Sequence, residues 1–451
     1  MHQQRLIGPS RTDRPSVLLP LLELVIVGLL ASPAHAENAP GLRWIGAGSG
    51  GSGTIAFGPS FDPVPSAGGG TVRLTTSGPG LSFGAALDLG HDFFVEWDGE
   101  ISLVDGSRTI TRSAPSTGAF SITSQSVPTG TISVDTSPST SPAGAGAKIV
   151  ATAPGQGGST VTISSTNVSP SSPAGNTISV YAFSPTLNGG AFVSAVLKGD
   201  SQTSAAYGLI YDQTGFALTG LGGAGLTSVT TELHDSTDAV DQRLLLGRGI
   251  SVGSGWTLTP KFGLDLLHTD RTIAQNVLYR QDLGVAGVTN PPSVSLGQTE
   301  RLRSTYVTML LGTSANRPLG NGWTMSLSAD LGRGRVTGHY SSSTSVTVTG
   351  VATQSMQGAS SGYEAMTWIS HIGVGFSRPV APDTTFFVGV SGGYLSAVPS
   401  VTTVARSSSP AGSGGTSVAN LNGSGQVEYV RGVVTHPQFS ATISASLVWR
   451  F

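Results

Sequence analysis

Acidic side chains recur in this chain at spacings that put them side by side. Glu96, Asp98 and Glu100 are each separated by one residue, and alternate side chains of a strand share a face, so all three point the same way. Asp88, Asp265 and Asp330 lie in segments of similar alternating character, and Lys261, His371 and Arg450 are the positive or titratable groups at comparable positions. Rings of charge at a constriction select ions by sign, and this set leans acidic, which favours cations. The same groups serve equally well to solvate or cross-link a polar interior.

Other combinations could do chemistry. Glu232, His234, Asp235, Asp238 and Asp241 are of a type to hold a hard cation or supply an acid and a base. The sequence places them in a surface loop, where a solvated connection is the simpler reading, so no metal site is assigned. His91-Asp92 falls in a short turn, which explains the aspartate. His268 and Asp270 with one of the many serines permit a triad only on paper, because separation along the chain gives no geometry. Gly48, Gly50, Gly51 and Gly53 are not followed by a helix or a Lys-Ser/Thr pair, as a phosphate loop requires. The absence of cysteine excludes thiolate catalysis and Cys-ligated zinc. A net charge of -2 gives no support to nucleic-acid binding, which wants clustered Lys and Arg. No catalytic residue and no cofactor is assigned.

The elements that must position these residues are strands. At the carboxyl end Ile443, Ala445, Leu447, Trp449 and Phe451 alternate with Thr442, Ser444, Ser446, Val448 and Arg450. One face suits lipid and the other water, and the length matches the ~9 to 11 residues of a tilted membrane strand. An alternating, aromatic-rich last strand ending in Phe resembles the carboxyl-terminal assembly signal of Gram-negative outer-membrane β-barrels, carried here by Leu447, Trp449 and Phe451. The motif spans about a dozen residues and is specific for the class rather than for any member.

The same alternation recurs upstream. Trp323, Met325, Leu327, Ala329 and Leu331 interleave with Thr324, Ser326, Ser328 and Asp330. Trp256, Leu258, Phe262, Leu264 and Leu266 oppose Thr257, Thr259, Lys261 and Asp265, and Phe93, Val95, Trp97, Ile101 and Leu103 oppose Glu96, Asp98, Glu100 and Ser102. Read backward from Phe451, strands are expected near 435–451, 384–398, 362–378, 323–340, 301–316, 256–270, 240–253, 204–220, 187–198, 92–104, 72–90 and 42–57. The fold class is therefore all-β: a closed antiparallel transmembrane barrel of twelve strands with both ends in the periplasm. Short turns at Gly90 to Asp92, Ser254-Gly255, Pro318 to Gly322 and Pro379 to Asp383 alternate with long Gly, Ser, Thr and Pro-rich connections, as in bacterial barrels. The strands near 42–90 and 187–220 lean on that alternation, so ten or fourteen strands also fit. One residue conflicts with the register. If Leu244, Leu246, Ile250 and Val252 face lipid, so does Arg248, at a cost of up to ~2 to 4 kcal/mol at the midplane.

Composition agrees with a barrel. Charged residues are 11% of the chain, against about 25% in soluble domains, yet after the amino-terminal region no run is long and apolar enough for a membrane helix. Residues 1–36 read as a secretory signal: Arg5, Arg11 and Arg14 precede an apolar run from Leu24 to Ala31, and Ala34-His35-Ala36 offers a small-x-small cleavage site. Residues 37–451 then form the barrel, with 105–186 as a long Ser/Thr/Gly-rich external or pore loop.

The leading functional expectation is porin-like passive diffusion of small hydrophilic solutes through a lumen lined by Asp88, Glu96, Asp98, Glu100, Lys261, Asp265, Asp330 and His371. Two competitors stand beside it: a surface adhesin or structural barrel with a closed lumen, and an autotransporter-like translocator, whose passenger should precede the barrel. The class resemblance implies outer-membrane lipids and lipopolysaccharide around the rim, and the barrel-assembly machinery as reader of the last strand.

Overall fold

The computed structural model describes residues 43–57, 74–112, 228–280, 293–349, 353–356, 358–407 and 427–450, with strand segments at 119–123, 131–135, 148–154, 160–165, 177–186, 189–198, 202–212, 216–221 and 418–420. The signal sequence expected over 1–36 and Phe451 lie outside the described residues.

Ten long strands form a ring: β1 (Arg43–Phe57), β2 (Thr75–Gly90), β3 (Phe93–Arg112), β4 (Ser228–Arg248), β5 (Thr257–Arg280), β6 (Val294–Gly320), β7 (Trp323–Val348), β8 (Ser360–Ala381), β9 (Thr384–Ser407) and β10 (Val427–Trp449). Each pairs antiparallel with its neighbours in sequence. β1 closes the ring against β10 in register from Ala47↔Trp449 to Phe57↔Phe439. Two short segments, Ile250–Ser251 and Gln354–Met356, complete the twelve strand segments of this sheet. A closed ring leaves no unpaired edge, which is what lets strands cross lipid.

Two stretches assigned to the barrel from sequence belong elsewhere. The segments Gly189–Lys198, Gln202–Asp212 and Phe216–Leu221 pair in a separate five-stranded sheet with Thr177–Thr186 and Ala119–Thr123. β3 instead meets β4 directly, from Phe93↔Arg248 to Arg112↔Val229, so no edge remains for a 187–220 hairpin. Period-2 alternation is identical in a membrane hairpin and in one of an independent sheet, so it does not distinguish the two. The connection between β3 and β4 thus carries β-structure of its own. A second small sheet joins Thr131–Asp135, Lys148–Pro154 and Thr160–Ser165 to Val418–Asn420.

The tight turns lie at one end of the ring, where the sequence put them. Gly90, His91 and Asp92 have φ of 84°, 55° and 66°, and Gly320, Asn321 and Gly322 have 93°, 50° and 77°. This left-handed backbone is natural for Gly and tolerated by Asn and Asp. It confirms that turn geometry is the role of His91-Asp92.

The outward side chains form an apolar band, with Leu264 50%, Leu311 66%, Ile372 67% and Ile443 63% exposed, while their inward neighbours Asp265 and Leu310 are 1% exposed. At the short-turn end the band is bounded by outward arginines stacked on aromatic rings: Arg248 on Phe93 (5.1 Å), Arg317 on Trp256 (5.5 Å) and Arg378 on Trp323 (5.9 Å). The Arg248 conflict is thereby resolved, because it faces outward as the register demands but at the membrane interface, where the cost falls to about 0 to 1 kcal/mol. Toward the long connections the outward face turns charged, with Asp270 bound to Arg301 and Arg303, and Arg335 to Glu364. The strands continue past this boundary. At ~3.4 Å per residue and a tilt of about 40°, the 27 residues of β6 reach roughly 60 to 70 Å, against an apolar band of about 25 Å.

Candidate functional site

The site is the bore, and pairing register assembles it. β3 contributes Glu96, Asp98 and Glu100 inward, facing Leu245, Arg243 and Asp241 of β4 in register. One cross-strand row runs Asp98, Arg243, Asp265, Thr308 over four neighbouring strands. A second runs Lys261, Gly312, Asp330, His371. Glycine makes room for these side chains. A Cβ at Gly312 would sit 1.9 Å from Asp330 Oδ1, and one at Gly84 would sit 2.8 Å from Asp98 Oδ1.

The charges interlock. Lys261 Nζ pairs with Glu96. Arg243 donates to Asp241 Oδ2 from Nε (3.1 Å) and Nη2 (2.6 Å), and its Nη2 lies 3.5 Å from His371 Nε2. Ser52 Oγ donates to Glu100 Oε1 at 3.0 Å. Asp265 is 1% exposed, and its carboxyl group lies within hydrogen-bonding reach of that of Asp241, while no nitrogen or hydroxyl donor reaches either of its oxygens. Six carboxyl groups, those of Glu96, Asp98, Glu100, Asp241, Asp265 and Asp330, thus gather around Arg243 and Lys261. Buried acceptors without donors are costly, and here they lie in a bore that contains cavities.

A cavity of about 770 Å³ has Glu96, Asp98, Glu100, Asp241 and Arg243 in its wall, together with Gly48, Ser52, Gly375, Gly389, Ser391 and Ser446. Arg450 also lines it. A second cavity of about 170 Å³ is lined by Thr54, Ser102, Thr237, Arg271, Tyr306, His371 and Gln438. Three groups of apolar side chains also project into the bore. They are Leu245, Leu310 and Ile369 with Leu395; Tyr306, Val336 and Ala397; and Leu74, Leu233, Ile273, Leu302, Tyr340 and Val401. Arg271 and Asp235 form a buried ion pair at 2.5 Å beside them.

Of the lumen residues expected from sequence, Glu96, Asp98, Glu100, Lys261, Asp265, Asp330 and His371 come together. Asp88 does not join them, since its Oδ1 accepts from Gly90 N at 2.7 Å and is committed to the β2–β3 turn. The segment containing Glu232, His234, Asp235, Asp238 and Asp241 is no loop, because it lies within β4. Strand alternation divides that group, with Asp235 buried inward and Glu232 and His234 exposed outward. No group of three or more His, Asp or Glu suited to a metal ion occurs among the described residues. His268 Nδ1 lies 3.1 Å from Thr305 Oγ1, and Asp270 binds arginine, so neither enters a triad. Arg243 is not among the lumen residues expected from sequence, yet its inward direction follows from outward Leu244 and Leu246. The Asp235–Arg271 pair carried no such signal, because its partners are 36 residues apart.

No family model matches this chain, and no curated protein does. Among solved structures it is similar to the outer membrane protease OmpT from Escherichia coli, at 9% identity and a TM-score of 0.29, covering 91% of this chain and 96% of that one. It is also similar to a Pseudomonas aeruginosa FadL homologue (5%, TM-score 0.18, covering 93% and 94%) and to an anion-selective porin from Comamonas acidovorans (11%, TM-score 0.15, covering 91% and 100%). Likeness at this level carries no argument about activity, and the fold rests on the closed ring of strands itself.

Proposed function

We propose that this chain is an outer-membrane barrel that presents its long extracellular connections, with a bore sealed by side chains in the conformation described. The observation that carries this reading is the stack of buried apolar groups in the bore, in which Leu310, Tyr306, Val336 and Val401 are at most 1% exposed. A ring of about eight strands leaves an interior that side chains just fill, whereas open aqueous pores are built from sixteen or more. Ten strands lie near the filled end of that range. The strands that outrun the apolar band and the small sheets built from the long connections agree with a platform for binding at the cell surface.

A second reading, a gated channel for small hydrophilic and preferentially cationic solutes, draws support from the 770 Å³ cavity and its acidic wall. It requires the apolar groups to part. Reconstitution of the purified protein in a planar bilayer separates the two readings. A sealed membrane at high protein load is the outcome expected of the presenting barrel. Discrete cation-selective steps would overturn it in favour of the channel. In parallel, removal of residues 119–221 should leave the barrel folded and abolish binding of intact cells to other cells or to matrix.

A further inference from the structure

Where the apolar band ends on the side of the long connections, the outward faces of β6 and β7 carry Arg301, Arg303, Arg333, Arg335 and His339 and no acid. Register places Arg303 opposite His339, and Arg335 opposite Val307. The acids come from the flanks. Asp270 of β5 accepts from Arg301 Nε at 2.7 Å and pairs with Arg303 at 3.4 Å, Glu364 of β8 pairs with Arg335, and Asp238 of β4 acts on Arg301 at longer range. Four guanidinium groups therefore meet three carboxylates, and one of the four, Arg333, stacks on the ring of Trp368 at 5.4 Å. Each guanidinium has five N–H donors, of which one carboxylate engages two at most. Arg303 and Arg335 remain 49% and 57% exposed. The outward face of β4 on this side differs in sign, with Glu232 and Asp238 beside His234. Immediately below the arginines the same two strands present Val307, Met309, Leu311 and Leu331, all more than half exposed.

We propose that this face of β6 and β7 binds the phosphorylated headgroup of an outer-leaflet lipid. Arg301, Arg303 and Arg335 grip phosphate through paired N–H donors, and the acyl chains lie on Val307, Met309 and Leu331. Guanidinium matches phosphate in charge and fork geometry, and the step from charge to hydrocarbon on the protein coincides with the same step in the lipid. The inference rests on the transmembrane placement of the ring and is independent of whether the bore conducts.

The test uses the full-length barrel in detergent micelles, with lipid A as the probe and native mass spectrometry as the readout. The parent protein should retain lipid A, and the double variant R303A/R335A should bind it at least tenfold more weakly. R248A, at the opposite interface, should bind as the parent does. Lipid A stripped of its phosphates should bind the parent as weakly as lipid A binds the double variant, and this arm decides the matter should the double variant fail to fold. Equal binding of lipid A by parent and double variant would overturn the proposal, as would equal binding of the dephosphorylated lipid. Displacement of lipid A by millimolar inorganic phosphate would also overturn it, by reassigning the site to a free anion.

Discussion

Breaking the Asp235–Arg271 pair should be among the most damaging single changes available in this barrel. The two side chains are 3% and 6% exposed. Arg271 donates to Asp235 through Nε at 2.9 Å and Nη2 at 2.5 Å, and its Nη1 reaches Pro399 O at 3.2 Å, so the pair ties β4 and β5 to β9 across the bore. Truncating one partner of a buried pair leaves the other charge without compensation, at a cost of about 3 to 5 kcal/mol, whereas replacing both with apolar residues is often neutral or stabilising. Asp235→Leu and Arg271→Met should each therefore destabilise by about 3 to 5 kcal/mol, while the double variant should fall within about 1 to 2 kcal/mol of the parent. The measurement is equilibrium urea unfolding of the barrel in lipid vesicles, followed by the fluorescence of its six tryptophans. Single variants that each cost less than about 1 kcal/mol, or a double variant as unstable as the sum of the two, would refute the argument that the pair is buried and coupled.

Two further outcomes follow from the alternation of the last strand and from the apolar band. Trp449→Asp, and likewise Phe451→Asp, should sharply lower the yield of folded protein in the outer membrane, read as the fraction that keeps compact mobility without heating on a denaturing gel; normal yield from both variants would remove the assembly role of the last strand. Leu264→Arg, in the middle of the apolar band, should cost about 2 to 4 kcal/mol in vesicle unfolding, whereas Arg248→Leu at the interface should change stability by about 1 kcal/mol or less. Equal costs would mean that the band is misplaced.

The sequence by itself determined the direction of most barrel side chains. In β7 Trp323, Leu327 and Leu331 face out and Ser326, Ser328 and Asp330 face in, as their alternation required, and the conflict raised by Arg248 was a true consequence of its parity. Side-chain direction repeats every two residues and needs no partner strand to be read. The tertiary structure alone decided how many strands close the ring, that the 187–220 hairpin stands outside it, and that Glu232 to Asp238 lie in a strand. The last of these hid because β4 outruns the membrane there, so its outward face is polar and its inward face holds a paired acid, which erases the apolar alternation. Only the tertiary structure, too, brought Leu245, Leu310 and Ile369 together in the bore. Each of them sits at an inward position where the sequence offered nothing to separate a lining side chain from a filling one. That distinction is set by the diameter of the ring, a property of closure among distant strands, whereas the alternation that points each residue inward is complete within a single strand.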